Sequence, residues 1–326
     1  MFNVSSILQQ TFGNQYKENE PLSNYTHFHI GGLTKWFVEV KTTDELKKIL
    51  DIANEYAIPF FVLGGGSNIL VSDNGFNGLV IKIASRGYKI EGTFVQADAG
   101  VLTSFLARQT VNQGLAGLEW AITIPGTIGG AVRGNAGCFG GEMKDVVKSV
   151  QVYRQGSILR LFTQDLEFKY RSSSIKNSHD IILSVEYECV FTPDREALIA
   201  SLDTFIAKRK ASQPVSVGSA GCMFKNYEVQ KQEDLDRLAK EIEIPLSMRE
   251  KKQIPAGWLI DQLGLKGKRI GDAQISDIHG NFLINQGKAT ASDMIQLIAL
   301  IKMRARDRFG IQLQEEVQYV GFDNDR

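Results

Sequence analysis

The 326-residue chain predicts an α+β protein of about two domains. Three observations carry that prediction. Short apolar stretches of strand character follow one another at residues 60–63, 69–71 and 79–83, with a marked helix ahead of them. The cluster Leu63-Gly64-Gly65-Gly66-Ser67-Asn68 lies between two of these strands, whereas a Rossmann-type dinucleotide site needs its glycines where a strand opens a helix. Pro193 and Asp194 then mark a boundary, beyond which a second set of helix and strand patterns begins.

Residues 1–20 carry little signal and read as a loose N-terminal extension. Thr42 and Glu45 fit a capping box. Leu46, Ile49, Leu50, Ala53 and Tyr56 recur at helical spacing, and Pro59 follows the helix they imply. A second unit starts near Tyr88, where Gly92-Thr93 joins two strands and 102–112 reads as a helix stopped by Gly114. Residues 146–153 and 158–162 form a hairpin around Gln155-Gly156, and 180–191 a long strand. Between them Phe168-Lys169-Tyr170-Arg171-Ser172-Ser173 is polar and basic where its neighbours are apolar.

Past the boundary, 195–210 is a helix with Leu198, Ile199, Leu202, Phe205 and Ile206 on one face and Lys208, Arg209 and Lys210 in its last turn. Residues 216–221 are a flexible small-residue loop leading into Cys222-Met223-Phe224-Lys225-Asn226. A helix over 256–263, a strand over 281–285, a capped helix over 290–309 ending at Gly310, and a closing strand over 311–322 complete the chain.

Composition narrows the function classes. Lys plus Arg and Asp plus Glu each number 37, so no global field favours nucleic acid or an anionic membrane, and an anionic ligand must be met by local cations. The first residues lack a basic segment followed by an apolar core, and no apolar run reaches membrane-spanning length, which predicts a cytoplasmic location. Three cysteines and four scattered histidines give neither a disulfide framework nor a ligand spacing, so no metal centre is expected.

Two glycine stretches stand out. Beside the first is Ile124-Pro125-Gly126-Thr127-Ile128-Gly129-Gly130-Ala131, running on to Arg133, Asn135, Ala136 and Gly137. Without a Cβ, such residues let successive N–H groups face one anion, as a pyrophosphate cradle requires; a tight turn between strands is the other reading of the first cluster.

Six motifs in order, Gly64-Gly65-Gly66-Ser67-Asn68, Ile124 to Ala131, Tyr170-Arg171-x-Ser173, Phe224-Lys225-Asn226, Gly271-x-Ala273-Gln274 and Leu313-x-x-Glu316-Val317, resemble those of the UDP-N-acetylenolpyruvoylglucosamine reductase family. The likeness covers about residues 24–321, and the spacing from Arg171 to Cys222 resembles the shorter of the family's two subtypes. It implies a flavoenzyme that completes UDP-N-acetylmuramate for peptidoglycan, using FAD and NADPH. It also implies a vanillyl-alcohol oxidase / p-cresol methylhydroxylase type of FAD-binding domain over 1–192, in two α+β subdomains meeting near 87. A substrate-binding α+β domain over 193–310 and a C-terminal strand over 311–326 bordering the active site would follow.

The resemblance implies an FAD site at Gly64, Gly65, Gly66, Ser67, Asn68, Pro125, Gly126, Thr127, Gly129, Gly130, Asn135 and Gly137. Arg171, which alone reads as a surface ion-pair partner, becomes a stabiliser of negative charge that forms toward the substrate carboxylate during hydride transfer. Glu316 sits opposite Ile311, Leu313 and Val317 under strict alternation, a face that is usually solvated; the resemblance makes it an assistant to the enolate-like intermediate or its protonation. Cys222 stands where the family commonly has the serine that protonates C2 after hydride reaches C3. A thiol, with a reference pKa of about 8.5, is mostly protonated at neutral pH yet far more acidic than an alcohol. An isolated cysteine is more commonly a small buried hydrophobe, but the place of Cys222 after Gly218-Ser219-Ala220-Gly221 and before Phe224-Lys225-Asn226 favours catalysis.

Lys225, Asn226 and Gln274 match positions that bind the diphosphate and uridine portion of the nucleotide-sugar substrate. Tyr227 and Gly280 replace the family's usual proline and alanine. Arg133 and His279 keep structural readings beside functional ones. Two other functions stay open for the residues: a flavoprotein that holds a nucleotide sugar without turning it over, and an oxidase or dehydrogenase of the same flavin fold. The expected partners are small molecules, with no nucleic acid, no membrane insertion and no obligate protein partner.

Overall fold

Helix Thr43–Glu55 forms where its capping box predicts: Thr42 Oγ1 accepts from the Glu45 N–H at 3.1 Å, and the Glu45 carboxylate accepts from the Thr42 N–H at 3.3 Å. Its period then buries Leu46, Ile49, Leu50 and Ala53, and each large side chain among them contributes about 1.5–3 kcal/mol. The computed structural model describes residues 4–214 and 216–322. These fall into two compact units, each drawn from several parts of the chain.

Unit 1 comprises residues 1–20, 34–65 and 77–209. A four-stranded sheet runs in the order Tyr16–Pro21, Leu33–Val40, Phe76–Ile83, Phe60–Leu63, the last two strands parallel with Leu63 opposite Lys82. A five-stranded antiparallel sheet has the order Ser157–Phe162, Val147–Arg154, Ile181–Glu188, Phe94–Asp98, Tyr88–Glu91. The hairpin falls at Gln155 (φ 47°) and Gly156 (φ 88°), as expected. One apolar core joins both sheets with helices Thr43–Glu55 and Thr103–Asn112.

Three expectations for this unit are corrected. Residues 4–20 are not a loose extension: helix Val4–Phe12 buries Leu8 and Phe12, and Tyr16–Pro21 is a strand of the first sheet; residues 1–3 lie outside the described residues. The long strand over 180–191 breaks at Cys189, because Val190–Phe191 leaves the main sheet to pair with Leu115–Ala116. Helix Arg195–Ser212 buries Leu198 and Leu202 but leaves Ile199 exposed, so its apolar face is narrower than the sequence implies.

Unit 2 comprises residues 21–33, 66–76 and 210–326. Its core packs helices Gln232–Glu241, Ala256–Gln262 and Ala291–Phe309 with the sheet Arg269–Ile270, Ala273–Ile275, Leu283–Asn285. The last helix is capped at Thr290 and ends at Gly310 in the left-handed region, as its sequence predicts. Asp73 adds to that cap, its carboxylate accepting from the Ala291 and Ser292 N–H groups at 2.8 and 3.0 Å.

The closing strand over 311–322 shrinks to Gln318–Val320, which pairs in parallel with Ile69–Val71. Residues 311–317 make isolated main-chain bonds instead of a continuous ladder. The strand expected over 281–285 likewise begins only at Leu283. Nor is the loop at 216–221 slack: the Asn285 N–H donates to Gly218 O at 2.8 Å and the Ser219 N–H to His27 O at 2.9 Å.

Candidate active site

In unit 1, Gly64 and Gly65 leave the parallel strand Phe60–Leu63 and meet the second glycine stretch. A Cβ on Gly65 would lie 2.4 Å from Gly126 Cα, and one on Gly64 would lie 2.8 Å from Thr127 Oγ1, so only glycine permits this approach. Lys82, opposite Leu63 in the neighbouring strand, donates to the Gly64 carbonyl. Burial, reinforced by nearby Arg86 and opposed by Glu39, pushes its ammonium pKa down to about 8. The sequence sign of Lys82 was a lone cation in the apolar run Leu79-Val80-Ile81-Lys82-Ile83.

The second stretch is anchored by its own backbone. Ile128 and Gly129 N–H donate to Val101 O and Ala99 O, both at 2.9 Å, and Thr103 N–H donates to Gly126 O at 3.1 Å. Gly129 is required by packing, since a Cβ there would stand 2.9 Å from the Ala99 methyl. Pro125 leads into Gly126 (φ 99°), while Gly130 follows Gly129 in the short helix Ile128–Arg133.

Arg171 lies in a tight turn closed by Lys169 N–H to Ser172 O at 3.0 Å and Ser172 N–H to Lys169 O at 3.1 Å. It takes φ 54°, and Asn135 takes φ 42°; for residues bearing a Cβ this costs about 1–3 kcal/mol each. The Arg171 guanidinium donates to Gly137 O at 3.0 Å and stacks over the Tyr170 ring at 5.1 Å. Gly137 itself pairs with Glu142, leaving no room for a side chain.

In unit 2 the first glycine cluster continues. Gly66 turns at φ 66° with its Cα hydrogen facing the Tyr25 carbonyl, where a Cβ would collide, and Ser67 and Asn68 follow. Cys222 is bridged to Phe282, and Met223 N–H donates to Asn281 O at 2.7 Å. On the other edge Glu316 N–H donates to Met223 O at 2.8 Å, and Lys225 N–H to Gln314 O at 2.9 Å. Asn68 joins the same strip: its amide donates to Glu316 O at 3.1 Å, and its carbonyl accepts from Gln318 N–H at 3.0 Å. Half-buried Cys222 and Glu316 therefore flank one main-chain residue, Met223.

The buried Asn281 side chain, not singled out as a site residue in the sequence, locks this strip. Its Oδ1 accepts from Phe224 N–H at 2.9 Å and its Nδ2 donates to Phe224 O at 2.8 Å. Asn226 Oδ1 accepts from the Ala256 N–H at 3.2 Å and starts helix Ala256–Gln262. The Gln274 amide donates to Asp277 at 2.9 Å and accepts from Gln286 at 2.7 Å. His279 takes its structural reading: Nδ1 accepts from Asn281 N–H at 3.2 Å, and burial lowers its pKa. A separate hollow of about 520 Å³, lined by His29, Ser216, Gly218, Asn285 and Gly287, contains none of the expected site residues.

Among the described residues no helix is long and apolar enough to cross a membrane. Residues 34–161 match the family model of the FAD binding domain, and 213–320 that of the UDP-N-acetylenolpyruvoylglucosamine reductase C-terminal domain. The chain is 39% identical over 306 residues to UDP-N-acetylenolpyruvoylglucosamine reductase of Alkaliphilus oremlandii, covering 93% of this chain and 92% of that one. The Lactobacillus acidophilus protein of the same name is 36% identical, with 96% and 97% covered. The crystal structure of the Thermus caldophilus reductase superposes with a TM-score of 0.75 at 32% identity, over 92% of this chain and 97% of that one. The α+β class and the FAD-binding domain expected from the sequence are thereby borne out.

Proposed function

The chain belongs to the UDP-N-acetylenolpyruvoylglucosamine reductase family, and from that premise we propose how its residues reduce UDP-N-acetylglucosamine enolpyruvate to UDP-N-acetylmuramate with FAD and NADPH. The observation that carries the reading is the strip in unit 2. Asn68, Cys222 and Glu316 come from three separate motifs, up to 248 positions apart, yet are stitched together by main-chain and amide bonds.

The residues fit the cofactor, because the first glycine cluster approaches Gly126 and Thr127 closely enough to exclude any side chain, as a cradle for a diphosphate demands. Gly64 and Gly65, with Gly126 and Thr127 against them, would hold the FAD diphosphate. When bound, FAD would supply hydride, drawn from NADPH, for C3 of the enolpyruvyl group. Arg171 receives the negative charge that develops toward the carboxylate, where a fixed guanidinium is worth more than a mobile one. Cys222 Sγ–H gives its proton to C2, and Glu316 supports that transfer. Lys225, Asn226 and Gln274 take the UDP portion, with Lys225 supplying local positive charge in a protein whose charges balance. We place the reaction in the cytoplasm, the location the sequence leads us to expect.

Half-reactions test this. Cys222→Ser and Cys222→Ala should both accept electrons from NADPH at near wild-type rates. With the enolpyruvyl substrate, the serine variant should keep much of its activity and the alanine variant should lose on the order of 10²–10⁴-fold. Wild-type turnover in Cys222→Ala would remove the thiol from the mechanism.

A further inference from the structure

Arg171 holds a left-handed conformation that a residue with a Cβ does not adopt without support. Its turn is tethered to residues 133–137 at three points. Before the tip, Asn135 Nδ2 donates to Lys169 O at 3.0 Å, the same carbonyl that closes the turn. After the tip, Ser173 Oγ donates to Arg133 O at 2.8 Å. At the tip, the guanidinium reaches Gly137 O.

The Asn135 amide is wholly committed to this task. The residue is 0% exposed, Nδ2 also donates to Glu142 at 3.0 Å, and Oδ1 accepts from Lys144 N–H at 3.1 Å. Both amide hydrogens and the acceptor thus have protein partners, which a ligand-binding amide in the second glycine stretch would not show. An aspartate could not substitute, since it has no hydrogen to offer Lys169 O.

We infer that Asn135 is a positioning residue for Arg171: its buried amide sets the turn that aims the guanidinium, with Ser173 as the second tether. The inference rests on the proposed role of Arg171 in the step with the enolpyruvyl substrate. Asn135→Gly relieves the strained φ while deleting the amide, which makes it the cleanest variant.

The test is a double-mutant cycle with Arg171→Ala on the FAD-loaded enzyme, followed by stopped-flow for each half-reaction and by FAD titration of the apoprotein. Asn135→Gly should keep FAD affinity and NADPH-driven reduction within about threefold and lose about 10–100-fold in the maximal rate of flavin reoxidation by the enolpyruvyl substrate. Added to Arg171→Ala, it should cost no more than about twofold. Additive losses, or weakened FAD binding with that rate intact, would overturn the inference. If Arg171→Ala is impaired and Asn135→Gly is not, the inference alone fails; a fully active Arg171→Ala overturns it together with the reading it rests on. Should Asn135→Gly not fold, Ser173→Ala run through the same cycle decides, with a loss of about 3–10-fold that disappears in the Arg171→Ala background.

Discussion

The turn that carries Arg171 and the strip that carries Cys222 fix their proposed site residues by different means. Around Arg171 the work is done by side chains reaching carbonyls: Asn135 to Lys169, Ser173 to Arg133, and the arginine itself to Gly137. Around Cys222 it is done by main-chain pairing on both edges, with Phe282 and Asn281 on one side and Glu315 and Glu316 on the other. The difference teaches where each site tolerates change. A residue placed by its backbone keeps its position when its side chain is exchanged, so Cys222→Ser should leave the strip undisturbed. A turn placed by side chains depends on residues outside its tip, Asn135 and Ser173.

The largest expected effect tests an exception in the strip. Asn281 reinforces the pairing at Phe224 with a side chain, as Asn68 does at Glu316, and Asn281→Ala leaves the buried Phe224 N–H and C=O without their amide partners. A destabilisation of about 2–4 kcal/mol is expected in urea unfolding, with substrate turnover lost and NADPH-driven flavin reduction less affected. A change under 1 kcal/mol would show that the main-chain bonds suffice.

Lys82 sharpens the contrast from the other side, because unit 1 again holds a loop through a side-chain donor. Its pKa of about 8 in the folded chain lies below the ordinary lysine value of about 10.4. Below pH 8 both states are protonated and the burial cost is carried in full. Between pH 8 and 10.4 the unfolded chain binds more protons, so stability rises with pH across that window. Wild type should therefore gain about 2 kcal/mol on Lys82→Met between pH 7.5 and 10. Chemical unfolding of both proteins at the two values checks this, and a flat difference would contradict it.

The smallest effect concerns Asp73, a further side-chain device in unit 2. Asp73→Ala removes two bonds from the start of helix Ala291–Phe309, but Thr290 still caps it. A loss of about 1 kcal/mol in thermal unfolding is expected; a much larger loss would count against that.

Much of this was legible because it is local. Thr42 with Glu45 and Thr290 with Asp293 announce their helices within four residues, and Gln155-Gly156 announces its hairpin. The motif residues were legible by type and order. What escaped depends on distant partners. Leu8 and Phe12 make a pattern too short to read, and the core that buries them comes mostly from residue 38 onward. Glu316 was assigned a face by alternation along a strand that the structure does not continue through it. The resemblance put Asn135 in the FAD site, while its bonds to Lys169 and Glu142 have no sequence signature.

The parallel pairing of Ile69–Val71 with Gln318–Val320 also sets an order of events during synthesis. Residues 69–71 emerge early, but their partner strand is made about 250 residues later. At a ribosomal pace of ~5–20 residues per second, that is a wait on the order of tens of seconds. Throughout it Leu70, which ends fully buried, belongs to an unfinished core. Unit 2 thus completes only when the last strand arrives, and a chain stopped a few residues short of it would leave an apolar edge exposed near its own beginning.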